Sequence, residues 1–225
     1  MKEYGHRGVL LAATLSALAG FVDAVGFLTL GGFFVSFMSG NSTRLGVGLA
    51  TGGWAEAATA AGLICLFVVG VVIGGTVARR VGEGRRSAVL LTEALLLFVA
   101  ATLGTLGHPG PGMIAAVLAM GVENAVFQKQ GDVGVGLTYM TGTLVRMGQR
   151  ITTALHGGPR WDWLPFLALW LALSGGGALG ALSYLKIGVL ALWLALAVVV
   201  ALAAGTWLAE RSGNGTGDKG ERPGI

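Results

Sequence analysis

Two arginines, Arg44 and Arg146, each stand four residues after a glycine in stretches that read alike. The first is Val35-Ser36-Phe37-Met38-Ser39-Gly40-Asn41-Ser42-Thr43-Arg44-Leu45-Gly46. The second, about a hundred residues on, is Leu137-Thr138-Tyr139-Met140-Thr141-Gly142-Thr143-Leu144-Val145-Arg146-Met147-Gly148. Ser39, Asn41, Thr141 and Thr143 are residue types that cap helix N-termini. Gly40 and Gly142 let a chain break or turn. A helix starting just after each glycine would carry free N–H groups and its arginine about one turn in, which together attract anions. Three further polar groups, Asp23, Glu123 and Asn124, lie late in apolar runs, where a carboxylate is expensive and a functional candidate. They could carry a proton, coordinate a cation, or pair internally as Asp23 with Arg44 and Glu123 with Arg146. Glu93 is a third acid, about a turn and a half from Arg86, as well placed for its carboxylate to snorkel to a membrane surface as to serve a function.

The elements that must position these groups are membrane helices. Of 225 residues, 54% are hydrophobic and only 12% charged, against about 25% charge in a soluble domain. Several apolar runs reach the ~20 residues needed to span a bilayer. The 40 glycines, ill suited to soluble helices, let membrane helices approach closely. Residues 8–30, 54–80, 87–106, 112–130, 163–184 and 187–209 read as spans, with the two polar stretches lying at 33–50 and 133–156. Ala17-Leu18-Ala19 resembles a signal-peptidase site, but the span has an internal counterpart, so the expectation is that it is kept. Gly70 with Gly74 and Gly176 with Gly180 give small-xxx-small spacing, suited to helix packing within one chain or in a homo-oligomer.

The repeat extends beyond the polar stretches, because Gly20-Phe21-Val22-Asp23-Ala24-Val25 aligns with Gly121-Val122-Glu123-Asn124-Ala125-Val126. Each half reads as span, broken segment, span, span. The expected fold is therefore an all-α polytopic membrane protein with six transmembrane helices plus two broken or re-entrant segments, arranged as two inverted three-span repeats. Residues 1–106 form the first repeat, 112–209 the second, and 210–225 a disordered cytoplasmic tail. With both termini inside, this topology leaves only Arg44 and Lys186 of the 15 basic residues outside, as the positive-inside rule prefers. Eight full crossings would strand Lys2, Arg7, Arg160, Arg211, Lys219 and Arg222 outside.

Enzyme signatures are missing: no paired histidines, no GxSxG elbow and no GxxxxGK[ST] run. The lone Cys65 lies in an apolar span, where packing is its expected role. No cofactor is expected. The net charge of +4 follows from membrane topology rather than nucleic-acid binding. The partners expected are the lipid bilayer and a small solute. Two broken helices from inverted halves, meeting near the midplane, are a transporter arrangement. The site would comprise Asp23, Ser39, Gly40, Asn41, Thr43, Arg44, Glu123, Asn124, Thr141, Gly142, Thr143 and Arg146, leaning to an anionic or zwitterionic solute. The alternative is a non-transporting assembly, sensor or scaffold module using its glycine faces for a partner.

Gly20-Phe21-Val22-Asp23-Ala24-Val25-Gly26-Phe27 followed by Phe34 to Gly46 resembles the YoaK family of bacterial integral membrane proteins, whose domain is of unknown function. Met120-Gly121-Val122-Glu123-Asn124-Ala125 and Tyr139 to Leu144 resemble its second signature. The resemblance covers about residues 8–209. It implies an inner-membrane protein of about six helices and no particular substrate. Relatives often carry Gln-Asn where this chain has Glu123-Asn124, so the acid is not part of what the resemblance implies.

Overall fold

The structure, a computed structural model, describes residues 5–82, 84–129, 132–133 and 140–214. It is built almost wholly of helix: α1 (Gly5–Thr29), α2 (Met38–Thr51), α3 (Trp54–Val81), α4 (Arg85–Thr105), α5 (Pro109–Glu123), α6 (Met140–Leu155), α7 (Leu164–Ile187) and α8 (Leu192–Asn214). Residues Gly188–Ala191 form a 3₁₀ turn, and Gln128–Lys129 pairs antiparallel with Asp132–Val133.

Four apolar helical stretches are long enough to cross a membrane: Gly8–Thr29, Trp54–Val81, Arg85–Thr105 and Leu164–Arg211. The last is 48 residues long and contains both α7 and α8. At 1.5 Å per residue it rises about 72 Å in all, room for two crossings of a ~30 Å hydrocarbon core. The chain turns within it at Gly188, whose φ of +61° is costly for any other residue. The span expected over 112–130 is shorter than the sequence suggests. Pro109 and Pro111 open α5, and it ends at Glu123 after 15 residues, a rise of about 22 Å.

Side-chain size sorts these helices. Their outer faces carry Val68, Val69 and Val72 on α3, Leu91 and Leu95 on α4, Leu171, Leu179 and Leu182 on α7, and Leu194 and Val200 on α8, all exposed. Such a girdle of large apolar residues suits lipid, not water. The inner faces mix leucine, valine and methionine with glycine and alanine, and the small residues mark the closest approaches. A methyl group added to Gly70 would run into the carbonyl of Leu118, and one on Gly74 would meet Val122 at 2.7 Å. Gly176 lies against the backbone of Ala17, and Gly180 against that of Phe21. Gly121 abuts Phe67, and Gly20 abuts Leu173. Thus α3 seats on α5 and α7 on α1, in each case through backbone-to-backbone approach. The small-xxx-small glycines read from the sequence are packing residues inside the monomer.

Helix α8 continues to Asn214, and the Ser87 hydroxyl donates to Glu210 across 2.7 Å, pinning the end of α8 to the start of α4. The remainder of the expected disordered tail lies outside the described residues.

Candidate functional site

The break between α1 and α2 occurs at Gly31 and Gly32, with φ of +65° and +101°. Two successive residues in the left-handed region demand glycine. Gly40, expected to be the break, instead lies inside α2, with the Phe34 and Phe37 rings against it. The residue before α2 is Phe37, which offers no side-chain cap. Ser39, Asn41 and Thr43 are consequently helical residues, not N-caps. The Thr43 hydroxyl donates back to the Ser39 carbonyl at 3.2 Å, and Ser42 does the same to Met38 at 2.9 Å.

Two side chains hold the loop between the helices. Asp23 of α1 reaches across twelve residues of chain, and its Oδ1 accepts the amides of Val35 and Ser36, both at 2.8 Å. Asn41 is fully buried and grips Phe34 from both sides. Its Oδ1 accepts the Phe34 amide at 3.0 Å, while its Nδ2 donates to the Phe34 carbonyl at 2.7 Å. These bonds satisfy backbone groups that could not otherwise remain irregular at membrane depth. Asp23 is thus a loop anchor, and the expected pairing with Arg44 is replaced by these amides.

Arg44 projects from the next turn of α2. Its guanidinium lies 4.6 Å from the centre of the Phe33 ring and beside Gly32, whose φ of +101° favours glycine. It also lines a cleft of about 600 Å³ between α2 and the start of α3, with Thr43, Val47, Gly48, Thr51 and Glu56. A second, more apolar cleft of about 380 Å³ lies between α1 and α7, and holds Asp23 with Phe34, Leu173 and Ser174 among its walls. Asp23 and Arg44 therefore face different clefts.

The second polar stretch is set differently. Thr141, Gly142 and Arg146 are exposed on α6, and Thr143 is buried. The principal partner of α6 is α7, as that of α2 is α3, so the two short helices seat on their own neighbours. The chain preceding α6, including Leu137 to Tyr139, lies outside the described residues. Residues Glu123 and Asn124 lie in the core at the end of α5, in neither cleft. Asn124 Nδ2 donates to the Met120 carbonyl at 2.9 Å, and both Glu123 carboxylate oxygens are buried without a hydrogen-bond partner. Arg146 does not pair with Glu123.

Two acids were undervalued in the sequence. Glu56, in the first turn of α3, shares the Arg44 cleft. Glu93, for which snorkelling and a functional role are equal readings of the sequence, is wholly buried and close enough to Glu123 for their charges to act on one another. A signal was present: His108 marks the turn between α4 and α5, Glu93 precedes it by 15 residues (108 − 93) and Glu123 follows it by 15 (123 − 108). In an antiparallel helix pair, residues equidistant from the turn share one depth. Cys65 also differs from expectation, facing outward from α3.

Long apolar helices with lipid-type outer faces, broken by a polar loop fastened from within, define a multi-pass helical membrane protein. The chain belongs to the family described as "Protein of unknown function (DUF1275)", whose model matches residues 11–205. It is 36% identical over 204 residues to UPF0700 transmembrane protein RA0705 of Rhizobium meliloti (strain 1021), covering 91% of this chain and 88% of that one. It is 28% identical over 162 residues to UPF0700 transmembrane protein YoaK of Bacillus subtilis (strain 168), covering 69% and 72%. The YoaK resemblance read from the signatures is therefore correct. No solved structure matches the chain.

Proposed function

We propose that the protein is a small-solute transporter or channel of the bacterial inner membrane, and that its solute is anionic or zwitterionic. The observation that carries this reading is the Arg44 cleft. A helix interrupted at Gly31–Gly32 presents a guanidinium to a cleft of about 600 Å³, which Glu56 of α3 also lines. One fixed cation and one fixed anion in a cleft suit a solute bearing both charges. Broken helices are the usual means by which transporters build a polar site at membrane depth.

The topology that goes with this function has six crossings, two re-entrant segments and both termini in the cytoplasm, the halves being inverted repeats. The duplicated packing supports it. Gly70 and Gly74 on Leu118 and Val122 correspond, along the aligned halves, to Gly176 and Gly180 on Ala17 and Phe21. Each half lends its third helix to the first helix of the other, as a twofold relation requires. On this reading the site acts by binding, not by catalysis. The glycine faces that a scaffold or sensor module would offer a partner are occupied within the chain, which disfavours that alternative.

Reconstituted protein tests the function: solute uptake into proteoliposomes should fall sharply in Arg44→Ala. Undiminished flux in that variant would remove the proposed site. Cysteines introduced at Ser42 and Gln149, with Cys65 replaced, test the topology in intact cells. The inverted arrangement requires an impermeant thiol reagent to reach the first and not the second.

A further inference from the structure

The core between α4 and α5 contains an arrangement that the cleft does not use. Among the described residues, all four carboxylate oxygens of Glu93 and Glu123 are buried and accept no hydrogen bond, and the Oδ1 of Asn124, next to Glu123 in the chain, is likewise buried and unpartnered. Glu93 and Glu123 have no exposed surface, and Asn124 has only 5%. The neighbouring wall is apolar: Gly74 of α3 closes on Val122 and Ala125, and Leu90, Ala94 and Leu97 of α4 are buried. Two acids at one depth in such surroundings cannot both stand as bare anions, since each unpaired buried charge costs several kcal/mol or more.

Among the described residues, the charged groups of the surrounding helices lie apart from the pair. Asp23 of α1 holds the loop amides, and Glu210 of α8 accepts from Ser87. Arg86 of α4 lies over the Phe127 ring at 5.8 Å, and Arg211 of α8 over Trp207 at 3.9 Å. The charges of α3 are confined to its ends, Glu56 in the first turn and Arg79 and Arg80 in the last. Among the described residues this leaves an all-oxygen donor set with a deficit of positive charge, the chemistry that selects small hard cations over soft ones.

We propose that Glu93 and Glu123 form an intramembrane binding site for a small hard cation, a proton or Na⁺, held between α4 and α5. The site stands apart from the transport reading, because a cation can bind there whether or not a solute moves.

The test uses purified full-length protein in detergent. Thermal unfolding is followed with NaCl replacing choline chloride at constant ionic strength, at mildly acidic and mildly basic pH. Dicyclohexylcarbodiimide, which adds to protonated carboxyls in apolar surroundings, is applied in parallel, and its adducts are mapped by mass spectrometry. If Na⁺ is the occupant, it raises the unfolding midpoint and slows labelling of Glu93 or Glu123. If the proton is, acid raises the midpoint, Na⁺ changes nothing, and labelling proceeds at mildly acidic pH. In either case Glu93→Gln and Glu123→Gln abolish the dependence. Should those variants fail to fold, the labelling of the unaltered protein decides alone. Absence of label at both glutamates, with a midpoint indifferent to Na⁺ and pH, overturns the proposal, as does a dependence that survives in the two variants.

Discussion

Helices α2 and α6 descend from one sequence pattern, yet they are held in place by different means. Around α2 the loop is tied by side chains: Asp23 takes the amides of Val35 and Ser36, and Asn41 takes both polar groups of Phe34. The arginine of that segment packs over Phe33 and lines a cleft. In α6 the corresponding Arg146 is exposed, and Met140, Leu144, Met147, Ile151 and Leu155 recur at helical spacing opposite Arg146, Gln149, Arg150 and Thr153. Such two-faced helices lie at membrane interfaces. A shared motif therefore does not ensure a shared setting. At the end of the preceding helix the first half has Asp23, which holds the loop, and the second has Asn124, whose Nδ2 donates back to Met120.

The largest effect should come from removing that anchor. Asp23→Ala strands two buried amides at about 1–3 kcal/mol each, enough to lower the unfolding midpoint markedly or prevent folding. Asp23→Asn retains an acceptor at the same place, and asparagine already stands at the aligned position of the other half, so it should recover most of the loss. Equal damage by both substitutions, measured by thermal unfolding in detergent, would show that the charge and not the acceptor holds the loop. Asn41→Ala comes next. It frees the amide and carbonyl of Phe34, again at about 1–3 kcal/mol per stranded group. Proteolysis between Phe33 and Phe37 should accelerate in that variant.

How much of this could be seen beforehand differs by interaction range. The glycine pairs at 70/74 and 176/180 declared close helix packing through spacing alone, and the long spans did so through apolar length. The N-cap expectation for Ser39, Asn41, Thr141 and Thr143 was reasonable by residue type, but a buried asparagine can serve a distant carbonyl as well as a helix end. The pairing of Gly31 with Gly32 was the better sign of where the chain breaks. Asp23 binding Val35 and Ser36 was not visible, because it depends on how the loop folds back on α1. Glu93 and Glu123 fell between these cases: the helical hairpin set their common depth, but not which faces of α4 and α5 meet.

A paired substitution sharpens the comparison with opposite signs. A methyl group at Gly40 would meet Phe37 at 2.5 Å and Phe34 at 2.8 Å, whereas at Gly142 nothing lies within 4 Å. Gly40→Ala should destabilise by about 1–3 kcal/mol through overpacking. Gly142→Ala should stabilise by roughly 0.5–1 kcal/mol, the usual gain of alanine over glycine in a helix. Unfolding midpoints that move in the same direction for both would mean that the two short helices share an environment after all.

The two arginines should differ least in stability and most in function. Arg44→Ala removes a cation–π contact worth about 0.5–2 kcal/mol, depending on how far the site is desolvated. Arg146→Ala, on an exposed face, should stay within about 0.5 kcal/mol of the unaltered protein. Stability alone hardly separates such values, so the decisive measurement is flux. Only Arg44 lines the cleft that also holds Glu56, and only its loss should abolish uptake of a charged solute. Arg44→Lys keeps the charge but loses the planar guanidinium that lies over Phe33, and should retain partial activity if charge is what the solute reads. A protein in which Arg146→Ala stops transport while Arg44→Ala does not would move the site to α6, and would make the firmly tied α2 the structural half of the pair.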